Sequence, residues 1–276
     1  MTYPLFHSVP WWAVAIPLAT FALVLGAFLI ARSATSWSAI GICRALGAKR
    51  LGSLDAPAWN EAARHLAGRA DVPSTSLWVI PGAQVNVLAM ADGPDATRVV
   101  ITSAALESLA AQDAEAALGM IFARAERREF HPSTIAAAVG LAGSTLATFG
   151  FIRPEEAEDN PLTWPLGVPL VVAGALMARV IGGPPPGSLT DRNGAAISGR
   201  AREAARLLEH MEFTAHHSPL AISAALSRLA LVDPRGEPDP LSLRRLFPSP
   251  PPSAQRADLL RSVGPAPDRP ERARAA

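Results

Sequence analysis

The apolar residues of this chain are gathered in blocks. The longest runs from Trp11 to Ala31 (WWAVAIPLATFALVLGAFLIA), 21 residues without a charge. As a helix rising 1.5 Å per residue it would reach roughly 31 Å, about one hydrocarbon core. A cleaved leader is the competing reading. Residues 1–10 hold no Lys or Arg and the run is long for a leader's apolar stretch, so a membrane anchor is expected. Trp11 and Trp12 suit its interfacial end. A second uncharged run, Thr134 to Ile152, has the Gly, Ala, Ser and Thr content of helices that pack closely in lipid. A third, Pro165 to Gly182, contains Pro169 and carries Arg179 near its end, placed to snorkel. A hairpin buried in a water-soluble domain would also give such a pair. Their length and lack of polar periodicity favour a membrane hairpin.

Basic residues orient these runs. Arg32, Arg44, Lys49 and Arg50 follow the first, Arg124, Arg127 and Arg128 precede the second, and Arg192, Arg200, Arg202 and Arg206 follow the third. The 153–164 loop holds Arg153 against Glu155, Glu156, Glu158 and Asp159. The positive-inside rule places the N-terminus and that loop outside and the bulk of the chain in the cytoplasm.

The remaining pattern predicts alternating short elements. Residues 55–70 read as a helix with Asp55 as N-cap, Pro57 in the first turn, and Ala58, Ala62, Ala63 and Leu66 on one face. Strands are predicted at Ser76–Ile80, Val85–Met90 and Arg98–Thr102, punctuated by Pro81-Gly82 and Asp92-Gly93-Pro94-Asp95. A helix from Gln112 to Glu129 opens on Asp113 and Glu115 and closes on three arginines, the charge order that its dipole favours. Helices are predicted at Ser188–Met211, Leu220–Leu231 and Ser253–Val263. Residues 232–252 form a Pro-rich connection, and a disordered tail starts at Gly264.

Composition narrows the function. The 276 residues are 49% hydrophobic and 18% charged, which excludes a disordered solvating chain, and a net charge of +1 gives no field for nucleic acid. Lys49 is the only lysine beside 24 arginines, as a GC-rich bacterial genome would produce. A single cysteine, Cys43, excludes a disulfide framework and a thiolate zinc cluster. It reads as a buried thiol, with acylation beside the membrane as the alternative. Six histidines remain: His7, His65, His131, His210, His216 and His217.

LAGRADVPSTSLWVIPGAQVNVLAM (Leu66–Met90), followed by RVVITSAALESLAAQDAEAAL (Arg98–Leu118), resembles the HtpX-like integral-membrane zinc metalloproteases. Asn86–Ala89 stand where that family has N-A-F-A. A hydrophobic hairpin after the active-site helix is a family trait, and Leu246–Arg261 looks like the family's closing motif. The resemblance covers about residues 55–263, most specifically 66–118. It implies an α+β, mainly helical fold: an integral membrane protein with a zincin-like cytoplasmic domain, a small β-sheet and a transmembrane helical hairpin. The expected division is an anchor at 1–32, the first part of the domain at 33–133, the hairpin at 134–182, the helical second part at 183–263, and a disordered tail at 264–276. The implied location is a bacterial inner membrane.

The family's reaction needs two His at i and i+4 facing one zinc, a Glu beside the first as base on zinc-bound water, and a later Glu as third ligand. Aligned on Asp113–Leu118, the pentad falls on Ile121-Phe122-Ala123-Arg124-Ala125. With Asp191 matched to the family's E-x-x-x-D stretch, the third ligand falls on Gly187, and Pro250 replaces the His of the closing motif. No two of the six histidines lie four apart. The motif is therefore degenerate at Ile121, Phe122, Ala125 and Gly187, and the expectation is an inactive relative without zinc or other cofactor. It would bind the lipid bilayer and a protein partner. The alternative is an active zinc endopeptidase with a displaced ligand set drawn from His210, Glu212, His216 and His217, beside Glu209. His65 reads as a surface residue, His131 as the end of a helix at the membrane, Asp191-Asn193-Gly194 as a turn, Gly140 to Gly143 as helix packing, and Arg124, Arg127 and Arg128 as lipid headgroup contacts. No Gly-x-Ser-x-Gly elbow is present.

Overall fold

The computed structural model describes residues 38–93, 95–151, 188–236 and 249–262, with Thr20 and five residues between 172 and 180. Apart from Thr20, the predicted anchor at 1–32 lies outside the described residues, as do nearly all of the third apolar run, Gly187, residues 237–248 and the tail from 264.

A four-stranded sheet organises the domain. Its strands are β1 (Lys49–Arg50), β2 (Ser74–Ile80), β3 (Val87–Gly93) and β4 (Ala96–Thr102), in the order β1-β2-β4-β3. β2 and β4 are parallel, with Leu77 opposite Val99 and Val79 opposite Ile101; β3 is antiparallel to β4. Residues 87 to 91 are buried without a break because both faces of β3 are covered. Alternate side chains divide between two cores. Val87, Ala89, Ala91, Val99 and Ile101 face the larger one, beneath the helices α2 (Pro57–Arg69) and α4 (Ala111–Glu126). Leu88, Met90 and Val100 face the smaller one, with α1 (Ser38–Ala45) and α5 (Phe130–Phe151).

Local physics sets several boundaries away from the sequence reading. α2 starts at Pro57 with Ala56 in the cap position, and Asp55 instead accepts a hydrogen bond from the amide of Gly52 at 2.7 Å. Proline's fixed φ and missing N–H lower the demand for a cap there. A short α3 (Ser103–Ser108) follows β4, capped by the Thr102 hydroxyl. The predicted helix from Ser188 is two helices, α6 (Ser188–Ser198) and α7 (Ala201–His217), separated by Gly199 at φ 73°. Glycine takes that left-handed backbone without strain. The predicted helix at Leu220–Leu231 is only a 3-10 turn, Ala224–Leu229. Its flanks are claimed by other partners: the Leu220 amide by the Pro234 carbonyl and the Leu231 amide by the Val87 carbonyl. α8 (Ser253–Ser262) closes the described chain.

The second apolar run is a continuous helix, but a membrane span beginning at Thr134 is corrected. Ala136 and Ala137 are buried in the domain, and the Thr134 hydroxyl accepts a hydrogen bond from the Ala91 amide at 3.0 Å. These turns pack on the sheet, which shortens the length left for lipid. Among the described residues no helix is long and apolar enough to cross a membrane.

α4 is buried almost all round from Ala114 to Arg124, which makes it the central helix. It crosses α6 at glycine against glycine. A Cβ on Gly119 would lie 2.6 Å from the Gly194 carbonyl oxygen, and one on Gly194 would lie 2.5 Å from the Cα of Met120. Asn193-Gly194 is thus part of a helix crossing and not a turn. Gly119→Ala or Gly194→Ala should lower stability by about 1–3 kcal/mol or more, because backbone has to move to admit the methyl group. Denaturant unfolding of the purified variants checks this.

α1 is tied to the sheet by Asp92, whose carboxylate accepts from the Ala39 amide at 3.2 Å and pairs with Arg98. The Arg98 guanidinium in turn lies 5.5 Å over the Trp78 ring. Cys43, buried, donates to the Met90 sulfur at 3.7 Å, and burial pushes its thiol up to about 11 from the usual 9.0. The folded chain holds that proton more tightly than the unfolded one. Its contribution is therefore full below pH 9 and is lost as the pH rises through about 11, on the order of 2 kcal/mol. A Cys43→Ala variant should lack this loss, and native Cys43 should stay inert to a thiol reagent at pH 8 until the chain unfolds.

Candidate functional site

α4 carries the residues in the expected catalytic register. Ile121 and Phe122 are fully buried in the larger core, and Ala125 is half-buried at its margin. None of the three offers a donor atom to a metal or a base to water. The helix is fixed there by apolar packing of its own side chains.

The polar chemistry lies two residues past Phe122, at Arg124. Arg124 is 3% exposed. Its Nη2 donates to the Arg228 carbonyl at 2.8 Å and its Nη1 to the Ala230 carbonyl at 3.3 Å. Its Nε lies 3.8 Å from Glu129, and its guanidinium lies 4.6 Å over the Phe130 ring. Burial lowers its pKa to about 10, opposed by the charge of Glu129. The headgroup reading of Arg124 is therefore corrected: an amphipathic count cannot tell an arginine that leaves a helix for lipid from one that turns inward to carbonyls. Arg127 donates to the Thr190 hydroxyl at 3.3 Å, and Arg128 closes α4 in left-handed backbone at φ 56°.

Asp191 and Arg256 form the second buried pair. Asp191 lies in the first turn of α6 and Arg256 in α8, each about 4% exposed. The guanidinium grips the carboxylate with two bonds, Nε to Oδ2 at 2.7 Å and Nη2 to Oδ1 at 2.8 Å, and its Nη1 donates to the Leu231 carbonyl at 2.6 Å. This geometry is the strong, planar form of the interaction. Both carboxylate oxygens are engaged by the guanidinium. The turn reading of Asp191 is corrected by its helical setting. Its partner Arg256 was not singled out in the sequence, although both residues lie in stretches matched to the family. Nearby, Arg228 donates to the Ser133 hydroxyl at 3.2 Å, and burial lowers its pKa.

The motif residue Asn86 is fully buried. Its side chain donates to the Val232 carbonyl at 2.9 Å and accepts from the Val87 amide at 2.8 Å, while its backbone amide donates to Thr102 Oγ1 at 3.1 Å. It fixes the entrance to β3.

The alternative ligand set is not brought together. His210, His216 and His217 are exposed on α7 and Glu212 is half-buried. Glu212 accepts from the Ser253 amide at the start of α8; His217 bonds the Phe213 carbonyl at 2.8 Å and stacks on the Phe213 ring at 4.1 Å; Glu209 pairs with Arg261. Among the described residues no three His, Cys, Asp or Glu side chains group to hold a metal ion. His65 is exposed on α2. His131 opens α5 and does not end α4, because Pro132 is tolerated in a first turn. Pro250 is half-buried ahead of α8.

No protein-family model matches the chain, and no solved structure does. Two curated proteins are similar to it, each named Protease HtpX homolog. The one from Gemmatimonas aurantiaca is 27% identical over 226 residues, 80% of this chain and 81% of that protein. The one from Salinibacter ruber is 27% identical over 265 residues, 91% of this chain and 95% of that protein. These similarities support an HtpX-like relationship.

Arg256→Met alone should cost about 3–5 kcal/mol, because it strands the Asp191 carboxylate in the interior. Joining it to Asp191→Leu should recover most of the loss. A double-mutant cycle by denaturant unfolding measures the coupling.

Proposed function

We propose that the chain is a catalytically inactive HtpX-like membrane protein acting as a binding, scaffold or accessory subunit of a membrane complex. The observation that carries this reading is the burial of Ile121 and Phe122, where the resemblance expects a zinc-binding His and a catalytic Glu. The residues present do not fit a zincin-type zinc, since that metal requires nitrogen, oxygen or thiolate donors at fixed spacing. The Gly119–Gly194 crossing closes the same region at backbone level. A fold kept while its catalytic residues are absent points to a role for its surfaces, and fold alone does not name the partner.

Three features support the membrane part. Val172, Leu176 and Val180, four residues apart in helical backbone, are 41%, 60% and 75% exposed, while Ala175 is buried. Such a stripe is satisfied by lipid or by another helix. Beyond the turns of α5 that pack on the sheet, its sequence continues without a charge to Ile152. Finally, α1, which follows the 11–31 run in the sequence, shares the smaller core with α5. With the arginine distribution, this supports a bacterial inner-membrane protein with its N-terminus outside and its main domain in the cytoplasm.

Purified in mild detergent, the protein should carry far less than one zinc per chain by elemental analysis. It should leave unfolded casein uncut, and it should retain a partner at fixed stoichiometry. One zinc per chain with chelator-sensitive cleavage would overturn the reading in favour of a displaced ligand set.

A further inference from the structure

One face of the sheet carries both helices that adjoin apolar runs. α1 begins seven residues after Ala31, the end of the first run, a reach of at most about 25 Å. α5 contains the second run. Both pack on the smaller core with Leu88, Met90 and Val100. Beside α1 the same face is basic and aromatic. Arg50 of β1 stands opposite Trp78 of β2, and Trp78 packs against the smaller core, so the two side chains share that face. Arg98 of β4, opposite Met90, lies over the Trp78 ring at 5.5 Å. Arg44 sits in the last turn of α1, and a turn at Gly47, φ 66°, leads from it to Lys49 and Arg50.

Arg44, Lys49 and Arg50 are exposed, and none belongs to an ion pair among the described residues. The Asp92 carboxylate is already held by Arg98 and the Ala39 amide. Trp78 is half-buried, its indole N–H donating to the Ser76 hydroxyl at 3.0 Å. Charge on an edge strand also guards a sheet against pairing with another. That duty falls on β1 and accounts neither for Arg44 on a helix nor for a tryptophan set between two arginines. Cations around an amphipathic ring match the boundary of a bilayer, where Trp sits at headgroup level and each Lys or Arg is drawn to anionic lipid. We propose that Arg44, Lys49, Arg50 and Trp78 form a docking surface for anionic phospholipid headgroups, which seats this edge of the sheet on the cytoplasmic leaflet. It rests on the membrane assignment proposed above and adds to it a defined face and a lipid class.

Lys49 is the only lysine, so its amine reports on the patch. The full-length chain is placed in nanodiscs of phosphatidylcholine alone or of an equal mixture with phosphatidylglycerol. Acylation of Lys49 by an uncharged amine reagent is then followed by peptide mass spectrometry. The anionic discs should slow it at least about fivefold, and high salt should remove most of the difference by screening. The variant Arg44→Gln/Arg50→Gln loses two exposed cations and keeps the probe, and its protection should fall below about twofold. Equal rates in the two discs would overturn the proposal and leave the patch to a soluble acidic partner. Full protection in the double variant would assign the effect to the general surface potential and overturn it as well. If that variant does not fold, the wild-type comparison decides alone. A chain that enters neither disc would overturn the membrane assignment itself, and this surface with it.

Discussion

A buried guanidinium has five N–H groups to satisfy and a charge to offset, and much of this domain is arranged around two of them. Arg124 projects from the central helix and Arg256 from the last described one. Both reach carbonyls of one short stretch, residues 228–231, and Arg256 also takes both oxygens of Asp191. Five parts of the chain that are distant in sequence thereby meet at one place: α4, α5 through Ser133, α6, α8 and the segment on β3. Hydrophobic packing is non-directional, so it brings these elements together without setting their register. Paired charges in a dry interior tolerate little displacement, and here they fix which part faces which.

The two glycines act on the same helices by the opposite means. Gly119 and Gly194 remove side chains so that α4 and α6 can touch at backbone distance, while Asp191, one turn earlier in α6, carries the charge that anchors it to α8. Close approach and ion pairing are thus adjacent on one helix.

Much of the fold was legible because its signals are local. The three main strands showed themselves as short, largely apolar runs punctuated by Pro81-Gly82 and Asp92-Gly93. α4 was marked by its charge order, and α2 by Pro57 and its alanine face. What escaped depends on distant partners. α1 was not predicted, since its tie to Asp92 spans 53 residues. Leu220–Leu231 has helical composition, but its flanking amides bond to carbonyls elsewhere in the fold. In the site, the apolar character of Ile121 and Phe122 was readable from a motif alignment. The inward turn of Arg124 was not, because a charged residue at the end of an amphipathic helix looks the same whether it faces headgroups or carbonyls. In the sequence Asp191 reads as a turn residue; its role appears only with Arg256, 65 residues away.

The contact between Gly119 and Gly194 bears on how the chain can change over generations. A His at 121 or a Glu at 122 would enter positions with no exposed surface, two and three residues from a crossing that has no room for one methyl group. Such side chains would be buried without water, partner or ion and would destabilise the fold before any chemistry began. Placing metal ligands at 121 and 122 would require the helices to separate first. At this crossing the spacing of two backbones limits which side chains the central helix can carry as much as the side chains' own chemistry does.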